Sequence, residues 1–172
     1  LKICLMKKKT FLLRFLLTGF LCCVTTDSPS VAEEAEIFCM AEAIYFESRG
    51  ESYMGQLAVG VTIKNRFKHP KYPASICGVV RQGQYSQGVP LRDRCQFSYW
   101  CDGRPEEIKD HVAWTKALDF AKLILETQLE INGLENVTHY HSDKVSPKWS
   151  RKLHYKKTVG SHLFYVKKRS DM

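Results

Sequence analysis

The sequence lacks the short signatures of several large enzyme classes. It contains no G-x-S-x-G element, no phosphate-binding P-loop and no G-x-G-x-x-G dinucleotide-binding turn. It also has no H-E-x-x-H pair of the kind that binds zinc in many metallopeptidases. These absences leave a serine hydrolase of that type, a nucleotide hydrolase and a dinucleotide-dependent enzyme without support. Any catalytic chemistry must come from another arrangement of side chains.

Proline and glycine are also scarce, with 6 and 10 among 172 residues. This is too few for a disordered chain, and a hydrophobic share of 44% is normal for a globular one. No internal repeat is visible. The length predicts a single domain with a core of ordinary size.

Basic residues are unevenly distributed. The formal net charge is +8, but residues 1–24 contain five basic side chains and no acidic one. The rest of the chain has 21 basic and 18 acidic side chains, a net charge of +3. This mild excess suits an anionic polymer or surface as a partner, or is simply a solvated basic surface. It gives no case for nucleic acid as a partner.

Residues 1–24 are typical of an export signal. Three lysines at positions 7–9 precede an apolar segment of 14 residues, 11–24, which is interrupted only by Arg14. This segment is too short to span a bilayer comfortably. Met6 is an alternative start, and an uncleaved anchor is the alternative to cleavage. We expect an exported protein of the periplasm or cell envelope that meets the membrane only through this signal.

The remaining chain divides into three parts. Residues 25–36 are polar and predict a linker, residues 37–166 predict the folded domain, and residues 167–172 predict a basic tail. Four cysteines follow residue 24, at positions 39, 77, 95 and 101. In an exported chain they indicate two disulfides, with three possible pairings, of which Cys39–Cys77 and Cys95–Cys101 are favoured. A zinc site is the alternative, but no C-x2-C pair supports it.

The most informative stretch is AEAIYFESRGE, residues 41–51. On a helix its residues are apolar on nearly every side, which predicts a buried helix over about residues 32–49 that ends before Gly50. Glu47 lies near the end of this helix, where burial would raise its pKa. A carboxylic acid that stays protonated near neutral pH is what glycosidic cleavage requires. The alternative is an ion pair between Glu47 and Arg49 or Arg66.

The segments after this helix predict a mainly helical protein with a small β element. We expect helices over residues 56–67, 73–82 and 105–128, and strands over 137–141 and 158–166. Residues 83–104 predict a long loop rich in Gln, Gly and Tyr. Aromatic and amide side chains are typical of sugar-binding grooves, which makes Gln96, Phe97 and Ser98 candidates. Alternatively, Phe97 or Trp100 fills the core.

Two further arrangements of side chains could carry catalytic chemistry, a zinc site and a second acid. His139, His141 and His162 could bind zinc and make a wall amidase or peptidase, although an H-x-H pair is a weak signal. A second catalytic acid could be drawn from Glu42, Glu51, Asp93 and Asp102. Glu42 lies about 140° from Glu47 around the helix, so the two point apart. One acid suffices when the attacking oxygen belongs to the substrate, as the muramyl 6-hydroxyl of peptidoglycan does.

Several motifs together resemble one family. In order along residues 38–166, they are AEAIYFESRGE (41–51), GQLAV (55–59), NR (65–66), YP (72–73), CGVV (77–80), QFS (96–98), P-x-W (147–149) and GSHLFY (160–165). This set resembles the SleB-like cell-wall hydrolases, the spore-cortex-lytic enzyme type. The chain departs from that pattern in having Ser48 where Ala is usual and Lys64 before Asn65, and neither change touches the acid.

The resemblance implies an α+β, single-domain fold related to lysozymes and lytic transglycosylases. It implies cleavage between N-acetylmuramic acid and N-acetylglucosamine, with Glu47 as the catalytic acid and no cofactor or metal. We therefore expect a lytic transglycosylase or muramidase acting on peptidoglycan glycan strands. Gln96, Phe97, Ser98 and Tyr140 are the expected substrate contacts. Arg49 and Glu51 are expected to brace the helix end, and His162 to pack behind the site. A zinc-dependent amidase and a non-catalytic wall-binding protein are the alternatives.

Overall fold

The computed structural model describes residues 30–167, so the predicted export signal lies outside the described residues. So do residues 25–29 of the predicted linker and 168–172 of the predicted tail. The helices are α1 (Val31–Ser48), α2 (Tyr53–Lys68), α3 (Ile76–Val80) and α4 (His111–Glu126). The strands are β1 (Gly83–Ser86), β2 (Val89–Cys95), β3 (His139–Ser142), β4 (His154–Val159) and β5 (His162–Val166). Two 3₁₀ turns span Ser98–Cys101 and Lys148–Lys152.

Helix α1 lies at the centre of the protein. It packs against α2, α3 and α4, and nearly every residue of its second half is buried. The helix begins at Val31, close to the predicted start at about residue 32, and residues 31–36 of the predicted linker form its first turns. The Ser30 side chain accepts a hydrogen bond from the Glu33 backbone N–H, and Glu33 and Glu34 favour the positive end of the helix dipole. The polar residues 30–36 therefore form the start of this helix and not a linker.

The three long helices approach closely at Gly60 of α2. A Cβ atom at this position would lie 2.4 Å from Cδ1 of Ile124 in α4 and 2.9 Å from Cδ1 of Ile44 in α1. Because glycine has no side chain, the branched side chains of both neighbouring helices reach the α2 backbone. The buried core is continuous across all three helices.

The predicted loop over residues 83–104 is wrong in its first half, because β1 and β2 form an antiparallel hairpin there. The two strands are joined at Gln87 and Gly88, which both have positive φ (51° and 80°). This is the backbone of the two-residue turns that match the twist of paired strands. Nearly all hairpin residues are exposed, so the chain carries no alternation of apolar and polar residues that would mark the strands.

Helix α4 starts at His111 and not near Pro105, where the sequence predicts a helix start. The Asp110 carboxylate accepts a hydrogen bond of 2.9 Å from the Ala113 backbone N–H, so this side chain caps the helix. Residues 105–110 are extended before it and pass along the end of α1. The Tyr45 hydroxyl of α1 accepts hydrogen bonds from the backbone N–H groups of Lys109 and Asp110.

The second sheet has three antiparallel strands in the order β3-β5-β4. The strand predicted over 158–166 is divided at Gly160 and Ser161, where the chain turns from β4 into β5. In β3, Tyr140 pairs with Phe164 of β5, which is fully buried. The sheet thereby places the ring of Tyr140 against the core beside α1.

Two disulfides connect these elements. Cys39 of α1 is bonded to Cys77 of α3, and Cys95 at the end of β2 is bonded to Cys101 in the first 3₁₀ turn. These are the pairs that the sequence analysis favours. None of the helices within residues 30–167 has both the length and the apolar character needed to cross a bilayer. The fold is α+β, with a helical core and two small sheets.

Candidate active site

A cleft of about 420 Å³ opens at the carboxyl end of α1. Its walls come from the end of α1, the first 3₁₀ turn and the extended segment before α4. The lining residues are Phe46, Glu47, Arg49, Ser98, Tyr99, Asp102, Arg104, Pro105, Glu106, Glu107 and Lys109. The cleft carries charges of both signs, and Glu47 lies where α1 meets it.

Glu47 is the half-buried acid of this cleft. Its Oε2 accepts a hydrogen bond of 3.2 Å from the hydroxyl of Tyr140, which β3 places beside the helix end. Burial raises the pKa of Glu47, because it disfavours the charged carboxylate, while the Tyr140 hydroxyl and the positive charge of Arg66 partly oppose this rise. The site therefore contains a carboxyl group whose protonated form is favoured by burial and which is open on one side.

The alternative expectation, an ion pair between Glu47 and an arginine, is not observed among the described residues. The guanidinium of Arg49 lies over the Tyr45 ring, 5.0 Å from its centroid, and is otherwise exposed. Arg66 donates its Nε–H to the backbone oxygen of Thr138. Neither forms a salt bridge with Glu47 in the part of the chain that the structure describes.

Glu42, a second acid in the buried half of α1, is not among the cleft-lining residues, but it interacts with Tyr99, which lines the cleft. Glu42 is only 8% exposed, and burial raises its pKa while the positive charge of Arg81 partly opposes this. Asp93 is exposed, with one oxygen 3.9 Å from Arg92. Asp102 lines the cleft with Glu47, and so do Glu106 and Glu107, which the sequence analysis did not select. Glu106 and Glu107 lie in the exposed segment before α4, and no local sequence pattern identifies that segment as part of a site.

Glu51 lies just beyond the end of α1 and lines the same depression of the surface as Glu47. Its carboxylate accepts hydrogen bonds from both the backbone N–H and the hydroxyl of Ser161. These bonds hold the pKa of Glu51 below its usual range and tie the end of α1 to the turn between β4 and β5. A Cβ at Gly160, which has φ +60°, would overlap the Glu51 carboxylate. His162 is buried with its Nδ1 3.9 Å from Glu51 and its ring edge-on to Tyr140.

The predicted substrate contacts separate into three groups. Ser98 lines the cleft, and Tyr140 contacts Glu47 directly. Gln96 is exposed, outside the lining of the cleft, and its backbone N–H donates to the backbone oxygen of Gln82. Phe97 as a substrate contact is wrong, because its side chain is only 2% exposed and packs under the guanidinium of Arg66. The QFS motif supplies one core residue between two exposed ones.

The histidines of the last third form aromatic and hydrogen-bonded contacts. The His141 ring stacks on Tyr165, and its Nε2 lies 3.0 Å from the Tyr165 hydroxyl. His139 packs against Trp149, and burial is the main cause that lowers its pKa to about 4. No three His, Cys, Asp or Glu side chains within residues 30–167 converge as metal ligands would. The zinc alternative therefore finds no ligand set among the described residues.

These features define an α+β enzyme-like domain with a half-buried acid of raised pKa in an open cleft. The sequence model of the cell wall hydrolase family matches residues 50–165, so the chain belongs to that family. Glu47 lies three residues before this match, and longer comparisons extend across it. The spore cortex-lytic enzyme of Halalkalibacterium halodurans is 29% identical over 143 residues, which cover 81% of this chain and 37% of that protein.

A second curated relative and a solved structure are also described as wall-lytic enzymes. The spore cortex-lytic enzyme of Bacillus subtilis is 28% identical over 82% of this chain and 41% of its own length. The chain thus spans less than half the length of these curated relatives. Among solved structures, the catalytic domain of the germination-specific lytic transglycosylase SleB from Bacillus anthracis matches with a TM-score of 0.58 and 27% identity. That match covers 80% of this chain and 99% of the catalytic domain. The fold expected from the resemblance is confirmed.

Proposed function

We propose that this chain is an exported enzyme that cleaves the glycan strand of peptidoglycan between N-acetylmuramic acid and N-acetylglucosamine. The observation that carries the proposal is the position of Glu47, a half-buried carboxyl group that lines an open cleft and accepts a hydrogen bond from Tyr140. The solved relative described as a lytic transglycosylase shares the fold that presents this helix end. The curated relatives are named as lytic enzymes of the spore cortex, which supports a wall polymer as the substrate class.

Glu47 acts first as an acid. Its proton moves to the glycosidic oxygen, the bond from that oxygen to C1 of N-acetylmuramic acid breaks, and the bonding electrons stay with the departing sugar. Burial favours the protonated form that this step consumes. The hydroxyl of Tyr140 keeps its hydrogen bond to Oε2 and stabilises the carboxylate that is left.

Glu47 then acts as a base. Its carboxylate takes the proton of the oxygen that attacks C1, which returns Glu47 to its starting form. If that oxygen is the muramyl 6-hydroxyl, the product is a 1,6-anhydro sugar, and if it is water the product has a reducing end. The relative described as a lytic transglycosylase supports the first route. Ser98, Arg104 and Lys109 line the cleft and are proposed to contact the glycan strand.

Export is part of the proposal. The predicted signal over residues 1–24 would deliver the chain to the periplasm or cell envelope, where the wall lies and where disulfides persist. The disulfides Cys39–Cys77 and Cys95–Cys101 suit that compartment.

The experiment is mass spectrometry of the fragments that the purified protein releases from sacculi, with and without EDTA. We expect muropeptides lighter by one water than the corresponding reducing sugars, in equal yield in both samples, because the chemistry needs a carboxyl group only. Release of reducing muropeptides would retain Glu47 as the acid and assign water as the attacking group. Release of free peptides that EDTA abolishes would contradict the proposal in favour of a zinc amidase.

A further inference from the structure

Arg66 of α2 is a buried cation with an unusual environment. Its side chain is only 5% exposed, and it forms no salt bridge with a carboxylate within residues 30–167. Its Nη1 atom is buried and has no hydrogen-bond partner. Burying a charge without a counter-ion opposes folding, so such a group is retained where it has another use.

Three contacts fix the guanidinium in place. Its Nε–H donates a hydrogen bond of 2.7 Å to the backbone oxygen of Thr138. The ring centroids of Phe97 and Tyr72 lie 5.2 Å and 5.6 Å from its central carbon. These contacts explain why Phe97 is buried although it belongs to a motif beside the cleft. They also keep the guanidinium out of reach of a substrate.

Arg66 is nevertheless linked to the candidate acid through the segment that leads into β3. Thr138 lies two residues before Tyr140, whose hydroxyl donates to Glu47, so Arg66 is attached to the strand that contacts the acid. The positive charge opposes the rise in the pKa of Glu47 that burial causes. Glu47 is also the one carboxylate whose charge acts on Arg66 among the described residues.

We propose that Arg66 is a positioning residue that acts through Glu47. Its fixed charge stabilises the carboxylate that Glu47 becomes after proton donation, so the same group can next act as a base. This inference rests on the proposed role of Glu47. Burial alone would favour the acid and penalise the base, and Arg66 together with Tyr140 keeps both forms accessible.

The other titratable groups around Glu47 do not supply this charge. Arg49, Arg104 and Lys109 are exposed in the cleft, where water screens them. Burial holds Tyr99 and Tyr140 neutral by raising their pKa values, and it lowers the pKa values of His139 and His162, which favours their neutral forms. The remaining groups at the cleft are the acids Asp102, Glu106 and Glu107.

The test compares Arg66→Gln with Arg66→Lys, since both lose the planar fork and only the first loses the charge. The ¹³C signal of the Glu47 carboxyl carbon is followed during a pH titration. We expect the titration midpoint to rise by about one pH unit in Arg66→Gln and by less in Arg66→Lys, because an opposite charge nearby lowers a carboxyl pKa by that order. In Arg66→Gln we also expect kcat on sacculi to fall about tenfold.

Lys64→Met is the matched control. Lys64 is a second buried cation of α2 that donates to the backbone oxygen of Leu129, and the charges acting on it are Lys68 and Glu130. Its loss should weaken folding and leave the Glu47 midpoint where it is. An unchanged midpoint in folded Arg66→Gln, or an equal change in Lys64→Met, would show that Arg66 only joins α2 to β3.

If Arg66→Gln does not fold, Phe97→Leu is titrated in its place. It keeps the guanidinium but removes one ring that fixes it, so a smaller rise of the Glu47 midpoint is expected, and an unmoved midpoint overturns the proposal. The titration needs no turnover. A protein that shows the shift and does not cleave glycan would therefore contradict the proposed function and leave the coupling of Arg66 to Glu47 intact.

Discussion

At the level of single residues, the pKa values of two carboxyl groups four positions apart, Glu47 and Glu51, are shifted in opposite directions. Burial raises the pKa of Glu47, whereas hydrogen bonds from Ser161 lower that of Glu51. The first group gives the cleft a proton to donate, and the second holds a β-turn against the helix end. Their surroundings, and not their residue type, decide which one can be an acid catalyst.

The raised pKa of Glu47 makes stability depend on pH. The folded state holds this proton more tightly than the unfolded chain, so the stability that Glu47 contributes is fully present below about pH 4.5 and is lost as pH rises through its folded pKa. Glu47→Gln keeps a neutral side chain at every pH. We expect its free energy of unfolding to exceed that of the wild type by an amount that grows with pH, by about 1.4 kcal/mol per unit of pKa shift. Urea unfolding at several pH values measures this.

Glu51→Gln is the matched control of opposite sign. The stability that Glu51 contributes is present above about pH 4.5 and is lost as pH falls through its lowered folded pKa. This variant should therefore be less stable than the wild type at neutral pH, by a margin that shrinks in acid. A stability difference between Glu47→Gln and wild type that stays constant with pH would mean that Glu47 has an ordinary pKa.

The residues of the site could be predicted only in part from the sequence. The apolar helix predicts partial burial of Glu47, whereas its catalytic role comes from the resemblance to the SleB-like hydrolases and stays a prediction. Aromatic residues suit both a sugar-binding site and a core, so the sequence alone does not decide between the two environments for Phe97. Its packing under Arg66 places it in the core. The sequence indicates Arg66 only as a possible ion-pair partner of Glu47. Its contact with Thr138 joins parts of the chain 72 positions apart, which no local sequence pattern reveals.

At the level of elements, the helices were easier to predict than the strands. The α1 and α2 segments carry long buried stretches, and apolar residues over the length of a helix indicate them in the sequence. The β1–β2 hairpin is exposed on both faces, so no pattern of burial was available to detect. The α4 start was misplaced because Pro105 and two acids imitate a helix beginning, whereas the Asp110 cap sets the actual one. More than one short segment here has the composition of a helix start. The hydrogen bonds from Lys109 and Asp110 to the Tyr45 hydroxyl fix the segment so that the helix begins after Asp110.

The two disulfides act on elements of different size, and we expect unequal effects on stability. Cys39 and Cys77 are 38 positions apart, while Cys95 and Cys101 are 6 apart. Because a longer closed loop restricts the unfolded chain more, replacing the first pair by alanines should cost about 4 kcal/mol and the second about 2 kcal/mol. Urea unfolding of the two double variants without reductant measures this. Equal losses would show that native contacts, and not loop closure, set the effect.

At the level of the whole molecule, the site exists only after α1, α2, β3 and the segment before α4 have come together. Glu47 and Tyr140 are 93 positions apart and meet through one hydrogen bond. The core shared by α1, α2 and α4 fixes the end of α1, and β5 holds β3 against it. The order of short motifs therefore predicted the family, but the shape and charge of the cleft required the folded chain.

The most direct measurement is the digestion of purified sacculi by wild type, Glu47→Gln and Glu42→Gln, with folding checked by circular dichroism. Glu42 is a second buried acid of α1 that does not itself line the cleft, so its variant controls for the loss of a buried carboxyl group. We expect Glu42→Gln to release muropeptides and Glu47→Gln to release essentially none, because it has no proton to give. Equal digestion by folded Glu47→Gln and wild type would contradict the account.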